Sequence, residues 1–206
     1  MSNELTIDFV SIVTRSLIMR YKIEREKARK ELEEKYKKRV IFAHELLLCP
    51  LKLEFKEKLS EIELLTSFKP SILVGEIVEQ GVREYLERLG FIKADYVCIK
   101  EFDDFILAGS PDYCTNDRSK IVDIKFSKLP LIKEHHYKRL AVYLNICNSK
   151  EGYLLYISPR GIISEKLTAP MTDDEIIDLI NTSRAPRFSW ECRYCQFSEF
   201  CRIGPK

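Results

Sequence analysis

Apolar positions recur along this chain with two periods, and the points where the period changes mark its elements. Over 72–89 (ILVGEIVEQGVREYLERL), Val74, Ile77, Val78, Gly81, Val82, Tyr85, Leu86 and Leu89 follow an i, i+3, i+4 rule. This predicts a helix stopped by Gly90. The period then shortens, predicting strands at Tyr96–Phe102, Phe105–Ala108 and Ile121–Phe126, with a turn at Thr115-Asn116-Asp117 before the last. A helical pattern returns over 133–146, and Gly152–Ile157 with Ile162–Leu167 reads as a hairpin around Ser158-Pro159-Arg160-Gly161. Thr172 with Glu175 forms a capping box opening a last helix to about Asn181.

Upstream, residues 20–39 are densely charged, with Ala28, Leu32, Tyr36 and Val40 spaced four apart, predicting a helix packed lightly on the body. A second helix over about 41–48 is expected to break at Cys49-Pro50. The order α-β-β-β-α-β-β-α suggests an α/β sandwich around a mixed sheet.

Composition narrows the classes. The 206 residues are 45% hydrophobic and 32% charged, enough for a core and against bulk disorder. The formal net charge of +2 does not by itself announce a nucleic-acid binder. No apolar run is long enough to span a membrane, and Glu4 and Asp8 stand where an export signal would be basic and then apolar. A cytoplasmic protein is expected. Its seven cysteines then read as thiols and metal ligands before disulfides. No G-x-x-x-x-G-K-[ST] loop is present, which removes an ATP-driven motor.

Two constellations carry chemistry. Asp112 follows an apolar strand in Gly109-Ser110-Pro111-Asp112, and Asp123-Ile124-Lys125 lies within the next long strand. Alternation turns Asp123 and Lys125 to one side and Ile124 to the other. If the strands are neighbours, two carboxylates meet beside an amine, a set that favours Mg²⁺ or Mn²⁺ and suits phosphodiester hydrolysis. A cross-strand ion pair is the plain alternative. Glu79 on the 72–89 helix is a candidate third ligand, with Gly75 leaving room one turn earlier, and a boundary glutamate facing water is the plain alternative. Arg139 and Tyr143 share a helical face, for a phosphate and for the Lys125 amine respectively, or as a snorkelling arginine and a half-buried tyrosine. His135 and His136 precede that face as candidate DNA contacts, whereas His44 reads as a hydrogen-bonding core histidine.

The second constellation is Cys192, Cys195 and Cys201, a C-x₂-C-x₅-C run among aromatics, with Cys49 as the best fourth ligand. Spacing alone leaves zinc and an iron–sulfur cluster open. Cys98, Cys114 and Cys147 fall in apolar patterns and are expected to pack as small hydrophobes.

Together, Asp112, Asp123-Ile124-Lys125, the Arg139/Tyr143 turn, Cys49 and the terminal cysteine triplet resemble the RecB-like branch of the PD-(D/E)xK nucleases. Within that branch the chain looks like the CRISPR-associated RecB-type exonucleases and their archaeal and archaeal-virus relatives. The resemblance implies a restriction-endonuclease-like α/β core with a mixed central sheet flanked by helices. It implies Mn²⁺ or Mg²⁺ at Glu79, Asp112 and Asp123, with Lys125 assisting, and Tyr143 matching the tyrosine of Q-x-x-x-Y. It implies an iron–sulfur cluster at Cys49, Cys192, Cys195 and Cys201, 4Fe-4S before 2Fe-2S and both before zinc. The expected substrate is single-stranded DNA, with 5′-to-3′ exonuclease action ahead of endonucleolytic cleavage, in CRISPR spacer acquisition or viral DNA processing. CRISPR adaptation proteins are the expected partners, oligomerisation is open, and a catalytically silent DNA-binding subunit is the alternative. Glu79 and Arg139 depart from the family's usual histidine and glutamine, and Asp123 is one methylene shorter than the usual glutamate. The expected divisions are 1–60, a helical segment lending one cysteine; 61–185, the nuclease core; and 186–206, the cysteine-rich tail.

Overall fold

The computed structural model describes residues 23–59, Arg25 apart, and residues 70–203. The N-terminal stretch bearing Glu4 and Asp8, and the expected division at 60/61, lie outside the described residues. No helix among the described residues is long and apolar enough to cross a membrane.

Helix α1 covers 26–36 and stops where Lys37 takes a positive φ of 52°. Its apolar stripe is real but shorter than the spacing predicts. Leu32 and Tyr36 pack on a small cluster of Val40, Ile106 and Ala108, and Val40 itself lies in strand β1, Arg39–Phe42. The predicted 41–48 helix is corrected accordingly: its start is extended, and only α2, Ala43–Leu46, is helical. Pro50 does more than break it, since it opens α3, Pro50–Lys58, from a position where its missing N–H costs nothing.

The 72–89 prediction resolves into α4, Pro70–Gly81, and α5, Arg83–Arg88. Gly90, with φ 83°, ends the second. Val78, Val82 and Leu86, spaced four apart, pack onto the sheet. The neighbouring row of Ile77, Tyr85 and Leu89, one residue further round, is exposed, so the stripe read from the sequence is two rows with one buried.

The remaining strands are β2 (Phe91–Lys93), β3 (Cys98–Glu101), β4 (Phe105–Gly109), β5 (Tyr113–Thr115), β6 (Lys120–Phe126), β7 (Glu151–Ser158) and β8 (Gly161–Leu167). Helix α6, Glu134–Ile146, joins β6 to β7, and α7, Asp173–Asn181, starts at the capping box of Thr172 and Glu175. The single mixed sheet expected from the sequence is two. One has the order β1-β4-β3, and the other β2-β5-β6-β7-β8 with β6 and β7 parallel. Helix α6 packs on β7 and also touches β3 and β4, so its apolar face bridges both sheets. The main core of Leu140, Leu144, Leu154 and Tyr156 lies beneath it, and Val122, Ile124 and Leu86 form a second cluster on the opposite face of β6. This is the α/β architecture of mixed sheets flanked by helices that the sequence implies.

Cys98 and Cys147 form a disulfide, with Cα atoms 5.0 Å apart, where two free thiols are expected. The correction is topological. β3 and the end of α6 are 49 residues apart in sequence, and only the packing of α6 over both sheets brings them together. Cys114 is buried and free, as read.

Candidate active site

Strand β6 positions the centre. Ile121 belongs to the core beneath α6, whereas Val122 and Ile124 belong to the cluster under α4 and α5, so Asp123 turns toward α6. There Asp123, 2% exposed, meets two cations. Lys125 Nζ lies 2.7 Å from its Oδ2, and Arg139 Nη2 lies 3.0 Å from Oδ2 and 3.2 Å from Oδ1. Burial alone would push the Asp123 carboxyl up, but Arg139 and then Lys125 outweigh it and hold the group below the usual carboxylate range.

Asp112 arrives on the turn before β5. Its own N–H donates to Val122 O at 3.1 Å and its Oδ2 accepts the Ile124 N–H at 2.5 Å, which locks the carboxylate against β6. Lys125 Nζ stands 3.8 Å from that oxygen. Asp112 is deeply surrounded by neighbouring atoms, although 26% of its side chain still meets solvent. Burial pushes its carboxyl up against the pull of Lys125, and the charges of Asp123 and Glu79 push the same way as burial. The two acids and the amine read from the sequence therefore meet.

The other expected members stand differently. Glu79 borders Asp112 electrostatically, but its Oε1 is paired with Lys93 Nζ at 3.2 Å. Its main-chain oxygen accepts the Tyr113 hydroxyl at 3.2 Å. Arg139 binds Asp123 and leaves its buried Nε without a hydrogen-bond partner among the described residues. The guanidinium lies 5.9 Å from the centre of the Tyr143 ring, and Tyr143 is buried against Gly109 at the end of β4. His135 and His136 lie at the start of α6 in an aromatic stack, with His136 Nδ1 2.5 Å from the Tyr156 hydroxyl. Among the described residues no three His, Cys, Asp or Glu side chains stand close enough to hold a metal ion.

The four cysteines nonetheless share one cavity, without being drawn together as the ligands of a single ion would be. Cys49, Cys192, Cys195 and Cys201 line one cavity of about 20 Å³, walled also by Leu51 and Phe55. Burial, then the neighbouring thiols of Cys49, Cys195 and Cys201, raise the Cys192 thiol above its ordinary value. Phe55 stacks on the fully buried Phe197, which seats α3 on the tail. Glu191, 7% exposed, was not singled out in the sequence, though an acid directly before C-x₂-C was there to find. Its Oε1 accepts the Cys49 N–H at 3.0 Å, and its Oε2 accepts the Arg187 and Phe188 N–H groups at 2.7 and 2.9 Å. Arg187 Nε donates to Leu48 O at 2.8 Å, so two side chains clasp the Cys49 turn to the tail. Lys93 and Tyr156 carry no sequence signal of their own, since their roles depend on strand pairing.

No family model matches the chain. The chain is 28% identical over 176 residues to the CRISPR-associated exonuclease Cas4 of Saccharolobus solfataricus, covering 78% of this chain and 86% of that one. The crystal structure of SSO0001 superimposes with a TM-score of 0.74 at 25% identity, over 81% of this chain and 88% of that chain. An alkaline exonuclease (LHK-Exo) from Laribacter hongkongensis matches more loosely, with a TM-score of 0.46 and 15% identity over 68% of this chain and 81% of that chain.

Proposed function

We propose that this chain, a relative of the Cas4/RecB-type nucleases in sequence and in fold, is a metal-dependent DNA nuclease. One observation carries the reading. A single ammonium, Lys125 Nζ, stands within 4.0 Å of two carboxylates, Asp112 on the turn before β5 and Asp123 in β6. Oxygens that share one cation in this way are the donors a hard divalent ion takes. Asp112 and Asp123 would hold that ion, and Glu79 would join them by releasing Lys93. When bound, such an ion supplies a water of lowered pKa and charge that offsets the charge developing on phosphate.

The chain's own groups do the rest. Arg139 Nη2 keeps Asp123 ionised and fixed beside the centre. Lys125 directs its ammonium at the same centre, with one N–H donating a hydrogen bond to Ile124 O at 2.6 Å. Four sulfurs around one cavity suit a thiophilic group, and Cys49, Cys192, Cys195 and Cys201 would hold an iron–sulfur cluster. Single-stranded DNA is the favoured substrate and CRISPR adaptation proteins the favoured partners, on the strength of the family likeness.

The test is degradation of end-labelled single-stranded DNA with Mn²⁺ or Mg²⁺, comparing the wild type with Asp123→Ala. Loss of cleavage in the variant alone is expected, and equal cleavage by both would overturn the site. A catalytically silent DNA-binding subunit is the second reading, favoured by the two cations already seated on Asp123. It predicts that the wild type binds DNA and leaves it intact with either ion.

A further inference from the structure

A row of rings leads away from the acid–lysine centre to the surface. Tyr156 pairs in register with Lys125 across the parallel β6–β7 ladder. The His136 ring lies 5.7 Å from Tyr156, the His135 ring 4.0 Å from His136, and the Trp190 ring 4.6 Å from His135. The row ends there. Trp190 is 41% exposed, and its other neighbour, Phe188, stacks on it at 5.9 Å with an angle of 17° between the rings.

An exposed indole braced from beneath by two rings is a flat, rigid platform, and three further features bear on what it would receive. Lys138 Nζ lies 5.5 Å from the centre of the Phe188 ring, although it is paired with Glu134 Oε1 at 2.9 Å. The charge of Lys133 is felt by His135, and no ion pair of Lys133 is found among the described residues. His135 Nδ1 is buried without a hydrogen-bond partner among the described residues. A platform with the Lys133 ammonium beside it suits a chain of planar bases carrying phosphates. A duplex, whose bases are already stacked, gives such a platform no base to receive.

We infer that Trp190 is a base-stacking platform for single-stranded DNA, with Lys133 meeting the adjoining phosphate, and that the His135–His136–Tyr156 row connects this platform to the centre at Asp123 and Lys125. The inference rests on the nuclease reading for its substrate, but it concerns binding and is tested apart from cleavage. One bound base stacked on the indole is worth roughly a 5- to 150-fold change in affinity.

Trp190 is the chain's one tryptophan, so its fluorescence reports this site alone. The full-length protein is titrated with an oligothymidylate in EDTA, which prevents cleavage, following Trp190 emission in the wild type. Binding of a labelled oligothymidylate is then measured for Trp190→Ala, Trp190→Phe and Lys133→Ala, with thermal melting of each as a control. The expected results are quenching in the wild type, affinity lowered roughly 5- to 150-fold in Trp190→Ala, a smaller loss in Trp190→Phe, and a steeper salt dependence in the wild type than in Lys133→Ala. Should Trp190→Ala fail to fold, the wild-type quench and Trp190→Phe still decide. Wild-type emission unmoved by saturating oligothymidylate, or Trp190→Ala binding as tightly as the wild type, overturns the platform. If Trp190→Ala binds normally while the wild type degrades DNA with Mn²⁺, the platform falls and the nuclease reading stands. Quenching by DNA that the wild type never cleaves leaves the platform and removes the nuclease.

Discussion

The Cys49 amide and the Glu191 carboxylate, 142 residues apart in sequence, are joined by a 3.0 Å hydrogen bond beside the four-cysteine cavity. The same carboxylate accepts two more backbone N–H groups, so one buried acid settles three amides that would otherwise be orphaned. Glu191→Ala is expected to cost about 2–4 kcal/mol, because buried donors lose their acceptor. Urea unfolding of the metal-free protein measures it. Glu191→Gln should fall between the two, since an amide presents one acceptor oxygen where the carboxylate presents two.

The Cys98–Cys147 bridge closes a loop of 49 residues, worth about 4 kcal/mol in the chain-entropy view. Cys147→Ser, or the wild type under dithiothreitol, should melt several degrees lower, and the two effects should not add. A reductant that lowers the melting temperature of Cys147→Ser as much as that of the wild type would refute the assignment.

A Cβ at Gly109 would lie 2.7 Å from Tyr143 Cε1 and 3.1 Å from Ala43 Cβ, in a packed region with no room to yield. Gly109→Ala should therefore cost about 1–3 kcal/mol by overpacking. It should also lower DNA cleavage, since Gly109 begins the turn that delivers Asp112 and Tyr143 lies under Arg139. Melting and cleavage rate, measured together, separate the two effects.

Burial, then Lys133 and Arg139, push the His135 imidazole down to about 4, and burial with His135 and Arg139 pushes His136 down to about 2. Both are neutral in the folded protein at pH 7, whereas the unfolded chain takes up protons near 6.5. The unfolded state therefore gains protons first as the pH falls. The contribution to stability is intact above about 6.5 and declines as the pH falls, down to about 4 for His135 and about 2 for His136. Melting temperatures between pH 7 and 5 should drop for the wild type and drop less for His136→Gln, whose amide can still meet the Tyr156 hydroxyl.

What the sequence revealed is what local chemistry decides. The β7–β8 hairpin, the Thr172–Glu175 capping box and the Gly90 stop each depend on a few adjacent residues, and each stands where it was read. Strands β2 and β5, three residues each, are too short to show a period, and β1 takes its conformation from its pairing with β4. The meeting of Asp112, Asp123 and Lys125 was legible because alternation along β6 and one strand pairing suffice for it. The grip of Arg139 on Asp123, the pairing of Glu79 with Lys93 and the Cys98–Cys147 bridge depend on how helices settle on two sheets, which no spacing encodes.

Helix α6 is fastened at both ends. Tyr156 accepts the Lys133 N–H and meets His136 at its start, and the bridge to Cys98 anchors its far end. The guanidinium it delivers to Asp123 consequently cannot slide to follow a substrate of different shape. Adaptation to one backbone geometry or another falls to the opposite wall, where Asp112 rides on a turn and Glu79 can exchange partners, so altered preference among relatives should arise from changes there.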